Sequence, residues 1–240
     1  MTSRNVEKAS PSRLKLSLNE AINFNLKSIF IAIPKAGTTS VVSQIKPPGQ
    51  PLIKAPHLNI VQVRDTIYTY LLKLSLGRNL EYPTKRVLND QQLRKESRRI
   101  FDAFFKFASV RNPWARAVSL YSRREGVRVA GHISFQDFCE RHIYASDTCI
   151  YPTLHANQID WLIDESGDVV MDYIYKVENF EQAVKEIYDQ TDGRIQLKVT
   201  RANHNPKSKS QSYRDLYNDH TRQLIAKRFE KDIDYFQYTF

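Results

Sequence analysis

The segment Ser28-Ile29-Phe30-Ile31-Ala32-Ile33 is continuously apolar after its first residue and stops at Pro34. A run this short, with no polar alternation, suits a strand buried on both faces, as happens where helices cover both sides of a sheet. A polar turn follows, Lys35-Ala36-Gly37-Thr38-Thr39-Ser40. A helix then starts near Thr38 or Thr39 and runs through Val41, Val42 and Ile45 to the break at Lys46-Pro47-Pro48-Gly49. Phe104 to Val110 reads as another buried strand, followed by Arg111 and by Asn112-Pro113, an N-cap with proline at the first helical position. Strand, polar turn and helix thus recur, which predicts an α/β fold: three-layer and P-loop-like, with a mainly parallel central sheet flanked by helices.

Helical spacing of apolar residues covers Ile60 to Leu76 and Asp90 to Ala103. The helix from Asn112 runs on through Arg123, and others fall at Phe180 to Tyr188 and Thr221 to Asp234. Pro51 to Pro56 and Met171 to Val177 read as strands, and residues 1–20 as a loose polar arm. A length of 240 residues fits one domain, 1–240, and 41% hydrophobic with 26% charged residues excludes a disordered or fibrous chain. Cys139 and Cys149 lack the spacing of a zinc site or a disulfide framework and read as free thiols of a reducing compartment. The apolar runs fall far short of the roughly 20 residues a membrane helix needs, and the first residues show no signal-peptide core. The expectation is a cytoplasmic protein with no membrane partner.

A net charge of +10 points to an anionic partner. Gln91 to Arg128 holds ten basic residues against three acidic ones, and Lys198 to Arg214 holds five against none. His132 to Asp172 sets eight carboxylates against Arg141 alone. Charge segregated in this way fits a discrete anion pocket. A nucleic-acid-coating protein favours a continuous basic face, with aromatics interleaved for base stacking. Trp114 and Tyr121 are instead spaced to face the core, so no nucleic-acid partner is expected.

The Lys35 to Ser40 loop has the parts of an anion cradle. A helix N-terminus offers unpaired N–H groups and the positive end of its dipole, and the hydroxyls of Thr38, Thr39 and Ser40 add donors. Gly37 permits close approach, and Lys35 supplies a full charge. Taken alone, the same residues also make a plain strand-to-helix turn capped by Thr or Ser. Lys35 precedes Gly37, the reverse of the Walker A order, and no Mg²⁺-binding acid stands near, which disfavours the alternative of a P-loop nucleotide or small-molecule kinase. Arg111 ends its strand where ligand crevices form in open α/β sheets, and a guanidinium there can grip a phosphate at two points. Arg116 and Arg123, on the helix that follows, read as solvated surface residues.

Together the two segments resemble the nucleotide-binding signatures of sulfotransferases that use 3′-phosphoadenosine 5′-phosphosulfate (PAPS). One is a Pro-Lys-x-Gly-Thr-Thr-Ser loop. The other is Arg-x-Pro-x-x-Arg-x-x-Ser-x-Tyr, present here as Arg111, Pro113, Arg116, Ser119 and Tyr121. Gln158-x-x-Trp161-Leu162, Asp172 to Phe180, Asn203-His204-Asn205 and Asp232 to Tyr238 are similar to landmarks of the branch with carbohydrate sulfotransferases and small soluble bacterial relatives. The resemblance implies PAPS as cofactor, its desulfated form PAP as product, and no metal. It implies in-line transfer of a sulfuryl group to a hydroxyl, or an amine, of a glycan or a small-molecule secondary metabolite. It also implies that Lys35 faces the leaving oxygen, that Ala36, Gly37, Thr38, Thr39 and Ser40 hold the 5′-phosphate, and that Arg111 and Ser119 hold the 3′-phosphate.

A hydroxyl acceptor needs a general base, a role that favours histidine. Of the six, His57 is placed best, at a strand-to-helix junction expected to open on the same sheet edge as Lys35. His155 and His204 stand in reserve, and a capping or surface histidine is the other reading of His57. Lys207, Ser208, Lys209 and Ser210 could fold over nucleotide or acceptor, or form a solvated loop.

Overall fold

The computed structural model describes residues 16–77, 89–122, 133–141, 143, 156–199 and 212–240. Arg123, Cys149, His132, His142, His155, His204 and residues 200–211 of the basic loop lie outside them.

Among the described residues the central sheet has four strands in the order β2 (Ile22–Asn23), β3 (Ser28–Ile31), β5 (Phe105–Val110), β6 (Tyr173–Lys176). β3, β5 and β6 run parallel, and β2 pairs antiparallel with β3. Because side chains alternate across a strand, Ile29, Ile31, Ala108 and Val110 enter one core, whereas Phe30, Phe107 and Tyr175 enter another. The first core is closed by α2 (Ile60–Gly77), α3 (Asp90–Ala103), α4 (Pro113–Tyr121), α5 (Phe135–Arg141) and α7 (Asp219–Arg228). The second is closed by α1 (Thr38–Ile45) and α6 (Phe180–Gln190). Helices on both faces make the three layers, and the continuous apolar character of β3 follows from burial on both sides.

Three expectations need correction. The arm assigned to residues 1–20 is not loose at its end. Leu16–Ser17 (β1) pairs in parallel with Gln50–Pro51 (β4), and Asn19, fully buried, donates from Nδ2 to Ile53 O at 2.8 Å and Ala55 O at 2.9 Å. The strand expected over Pro51 to Pro56 is thus only two residues long, and residues 52–55 are held by hydrogen bonds to residues 17–19. The single helix expected over Thr221 to Asp234 is broken at Phe229, between α7 and α8 (Glu230–Phe236). Phe229 is fully buried, with the guanidinium carbons of Arg116 and Arg228 5.5 and 5.4 Å from its ring centre. Burying that ring turns the chain where the helical pattern alone would continue it.

Candidate active site

β3 ends at Ile31, and residues 32–37 carry the chain over the edge of the sheet into α1. Two residues here adopt positive φ, Lys35 at 65° and Gly37 at 73°. Such a conformation is unremarkable for glycine and costs about 1–2 kcal/mol for a residue with a Cβ, so Lys35 is held against its own preference by its surroundings. Gly37 is needed for a second reason: a Cβ there would lie 2.5 Å from Val177 Cγ2. Gly37 also serves as N-cap of α1 and brings no side-chain acceptor, so the first N–H groups of the helix are not capped from within. The alternative of a turn capped by Thr or Ser is therefore not what forms.

The loop hydroxyls differ in their surroundings. Thr38 is buried, Thr39 is exposed, and Ser40 donates back to Gly37 O at 3.2 Å. Ala36 is fully buried and its N–H reaches Ile33 O at 3.3 Å.

The second segment meets the first through the loop's carbonyls. Ser109 Oγ donates to Ala36 O at 2.7 Å, Arg116 Nε to Pro34 O at 3.0 Å, and Arg111 Nη1 makes a long contact with Lys35 O at 3.5 Å. Arg111 is half-buried at the end of β5. Burial draws its guanidinium below its ordinary pKa, with the Glu178 carboxylate acting in the opposite direction. Glu178 in turn accepts the Asn112 N–H at 2.8 Å. Ser119 lies half-buried on α4, three residues beyond Arg116.

Arg116 departs from expectation. It has no exposed surface, and besides Pro34 O it reaches Ala156 O from Nη1 at 2.9 Å. A buried guanidinium needs a counter-charge, and Asp232, itself fully buried, supplies that field. Asp232 also accepts N–H groups of Gln158 at 2.8 Å and Ile159 at 3.0 Å. Gln158 then holds the Arg111 backbone from both sides, accepting its N–H and donating to its C=O, each at 2.8 Å. Burial pushes the Asp232 carboxyl up to about 6, against the pull of Arg116 and these donors.

His57 sits on the same sheet edge as Lys35. Its Nδ1 lies 2.6 Å from Ala32 O, the residue after β3, and its ring stands edge-on to Trp161 at 6.5 Å. A carbonyl can only accept, so Nδ1 carries the proton and the neutral ring has its lone pair on Nε2. Asn19 fixes residues 53 and 55 just upstream, a placement not foreseen from the sequence. His220 is elsewhere, exposed and 3.1 Å from Glu140.

Ser109, Asn19 and Asp232 were not foreseen as parts of this site. Only Ser109 left a local signal, as the one hydroxyl among Phe107, Ala108 and Val110 in a buried strand. Among the described residues no group of three or more His, Cys, Asp or Glu is placed to hold a metal, and no helix is long and apolar enough to cross a membrane.

The start of α1, Lys35 and the strand-end Arg111 thus lie at one edge of the parallel sheet, the edge at which ligand crevices form in open α/β folds. Residues 75–239, more than half of the chain, match the Sulfotransferase family, and the chain belongs to that family. The matched span includes Arg111, Arg116, Ser119, Gln158 and Asp232 and begins beyond Lys35 and His57. Comparison with curated proteins and with solved structures returned no match.

Proposed function

We propose that the protein is a PAPS-dependent sulfotransferase acting on a hydroxyl, or an amine, of a glycan or small-molecule acceptor in the cytoplasm. Family membership carries the transfer of a sulfuryl group. The choice of donor rests on the loop at Lys35 to Ser40 and the arginine at the end of β5. The uncapped start of α1, the close packing of Gly37 on Val177 and the positive φ of Lys35 suit a small tetrahedral anion held by backbone N–H groups. When bound, PAPS supplies the sulfuryl group and a leaving oxygen that gains negative charge.

In this reading Lys35 balances that charge, and the Gly37 to Ser40 backbone holds the 5′-phosphate. Arg111 and Ser119 take the 3′-phosphate. Preorganised donors of this kind typically contribute about 10²–10³ each in rate. His57 removes the acceptor proton at Nε2, with its ring orientation fixed through Nδ1. The bond from His57 to the end of β3 ties the base to the strand that feeds the anion loop, so base and loop share one rigid support.

A thermal-shift titration of the purified chain with PAP, with ATP plus Mg²⁺ and with single-stranded DNA tests the reading. Stabilisation by PAP alone, lost in Lys35→Ala, is the expected result. Stabilisation by ATP–Mg²⁺ in preference to PAP would favour the kinase alternative.

A further inference from the structure

Four consecutive carbonyls of the anion loop are occupied: Pro34 O by Arg116, Lys35 O by Arg111, Ala36 O by Ser109 and Gly37 O by Ser40. In a trans peptide the C=O of one residue and the N–H of the next point in opposite directions. Holding Ala36 O toward β5 therefore turns the Gly37 N–H away from β5, and holding Gly37 O toward the helix turns the Thr38 N–H outward. Two of the side chains that fix these carbonyls come from far along the chain, Ser109 on β5 from 73 residues away and Arg116 in the second signature from 82. Arg116 has no exposed surface and spends two of its N–H groups on carbonyls, which leaves it behind the loop and away from any nucleotide.

We propose that Ser109 and Arg116 are positioning residues for the anion loop: they grip its Ala36 and Pro34 carbonyls from behind, which sets the Gly37 and Lys35 peptide planes so that the Gly37 N–H, beside the Thr38 N–H that Ser40 turns outward, faces the 5′-phosphate before it arrives. This rests on the cofactor reading above and adds to it. Arg116, inside the segment that would bind the 3′-phosphate, serves instead to shape the 5′ cradle. Preorganisation of this kind strengthens binding because the loop need not be ordered by the ligand.

The test uses the full chain and three probes: PAP, AMP, which lacks the 3′-phosphate, and inorganic pyrophosphate followed by the backbone amide shifts of Gly37 and Thr38. Ser109→Ala should weaken all three by a similar factor, about fivefold to tenfold, as expected for loss of one buried hydrogen bond in the cradle. Tyr175 is the register partner of Ser109 on β6 and is buried. Tyr175→Phe therefore provides the control: it removes the neighbouring buried hydroxyl without touching the bond to Ala36 O and should leave affinities unchanged. Arg116→Lys keeps the charge facing Asp232 but cannot span Pro34 O and Ala156 O with one ammonium group, and it should behave like Ser109→Ala. If it fails to fold, Ser109→Ala decides alone. The proposal is overturned if Ser109→Ala binds all probes like wild type, if Tyr175→Phe loses as much affinity, or if the loss is confined to PAP. A wild type that shifts Gly37 and Thr38 with pyrophosphate yet binds neither nucleotide would sink the cofactor reading, while the pyrophosphate arm would still decide the positioning role. A wild type that binds none of the probes overturns both.

Discussion

Replacing Gly37 with alanine adds a single methyl group at the point where the anion loop becomes a helix. The backbone there has φ of 73°, and the new Cβ would lie 2.5 Å from Val177 Cγ2 and 3.5 Å from Val177 Cβ. The first effect is conformational, about 1–2 kcal/mol for a left-handed residue carrying a Cβ. The second is steric, about 1–3 kcal/mol for overpacking, because the loop and the turn after β6 must separate. Together these give about 2–5 kcal/mol from a total stability of about 5–15 kcal/mol. At about 2 °C per kcal/mol for a chain of this size, Tm should fall by about 4–10 °C. The two contributions can be separated. Val177→Ala removes Cγ2 and leaves only the ordinary 3.5 Å contact, so in the double variant the steric part should vanish and the conformational part remain. A double-mutant cycle by urea denaturation should show a favourable coupling of about 1–3 kcal/mol. Strict additivity of the two substitutions would refute the contact, and wild-type stability in Gly37→Ala would refute both parts of the reasoning.

Other perturbations address the chemistry. Arg111→Ala should weaken PAP at least tenfold and AMP much less, since a charge-assisted hydrogen bond is worth about 1.5–3 kcal/mol; equal losses for the two ligands, measured by calorimetry, would remove Arg111 from the 3′-phosphate. His57→Ala should lower turnover by about 10²–10⁴ with PAP affinity nearly unchanged, and a variant with full turnover on a hydroxyl acceptor would send the role elsewhere. Asp232 tests the buried network through pH. Its carboxyl is raised from 3.8 to about 6, so the folded chain holds the proton more tightly than the unfolded one. Its stabilising contribution is thus complete below about pH 4 and is lost, by up to about 3 kcal/mol, as pH rises through about 6. By urea midpoints, the stability of wild type relative to Asp232→Asn should be greatest below about pH 4 and should fall by up to about 3 kcal/mol as pH rises through about 6; a wild type that gains stability relative to the variant with rising pH would mean that Arg116 outweighs burial.

What the sequence determined by itself was local. Apolar runs bounded by Pro34 and by Arg111-Asn112-Pro113 specify buried strands that turn into helices, because burial on both faces and capping are properties of a few neighbouring residues. Asn112 caps α4 through bonds to the Trp114 and Ala115 N–H groups, as its place before Pro113 indicates. The glycine of the loop is equally legible, since a sharp turn between strand and helix favours it; the positive φ of Lys35 is not, because it runs against that residue's own preference. Tertiary structure decided the rest. Arg116 looks like any surface arginine in its own helix. It becomes fully buried only because Pro34, Ala156 and Asp232, far apart in the chain, converge on it and compensate its desolvation. Asn19 belongs to a segment whose composition suggests a loose arm, yet its amide satisfies two carbonyls of the stretch that leads to His57. Such roles depend on which unsatisfied polar groups the fold leaves beside a side chain, and that is settled only when distant segments pack.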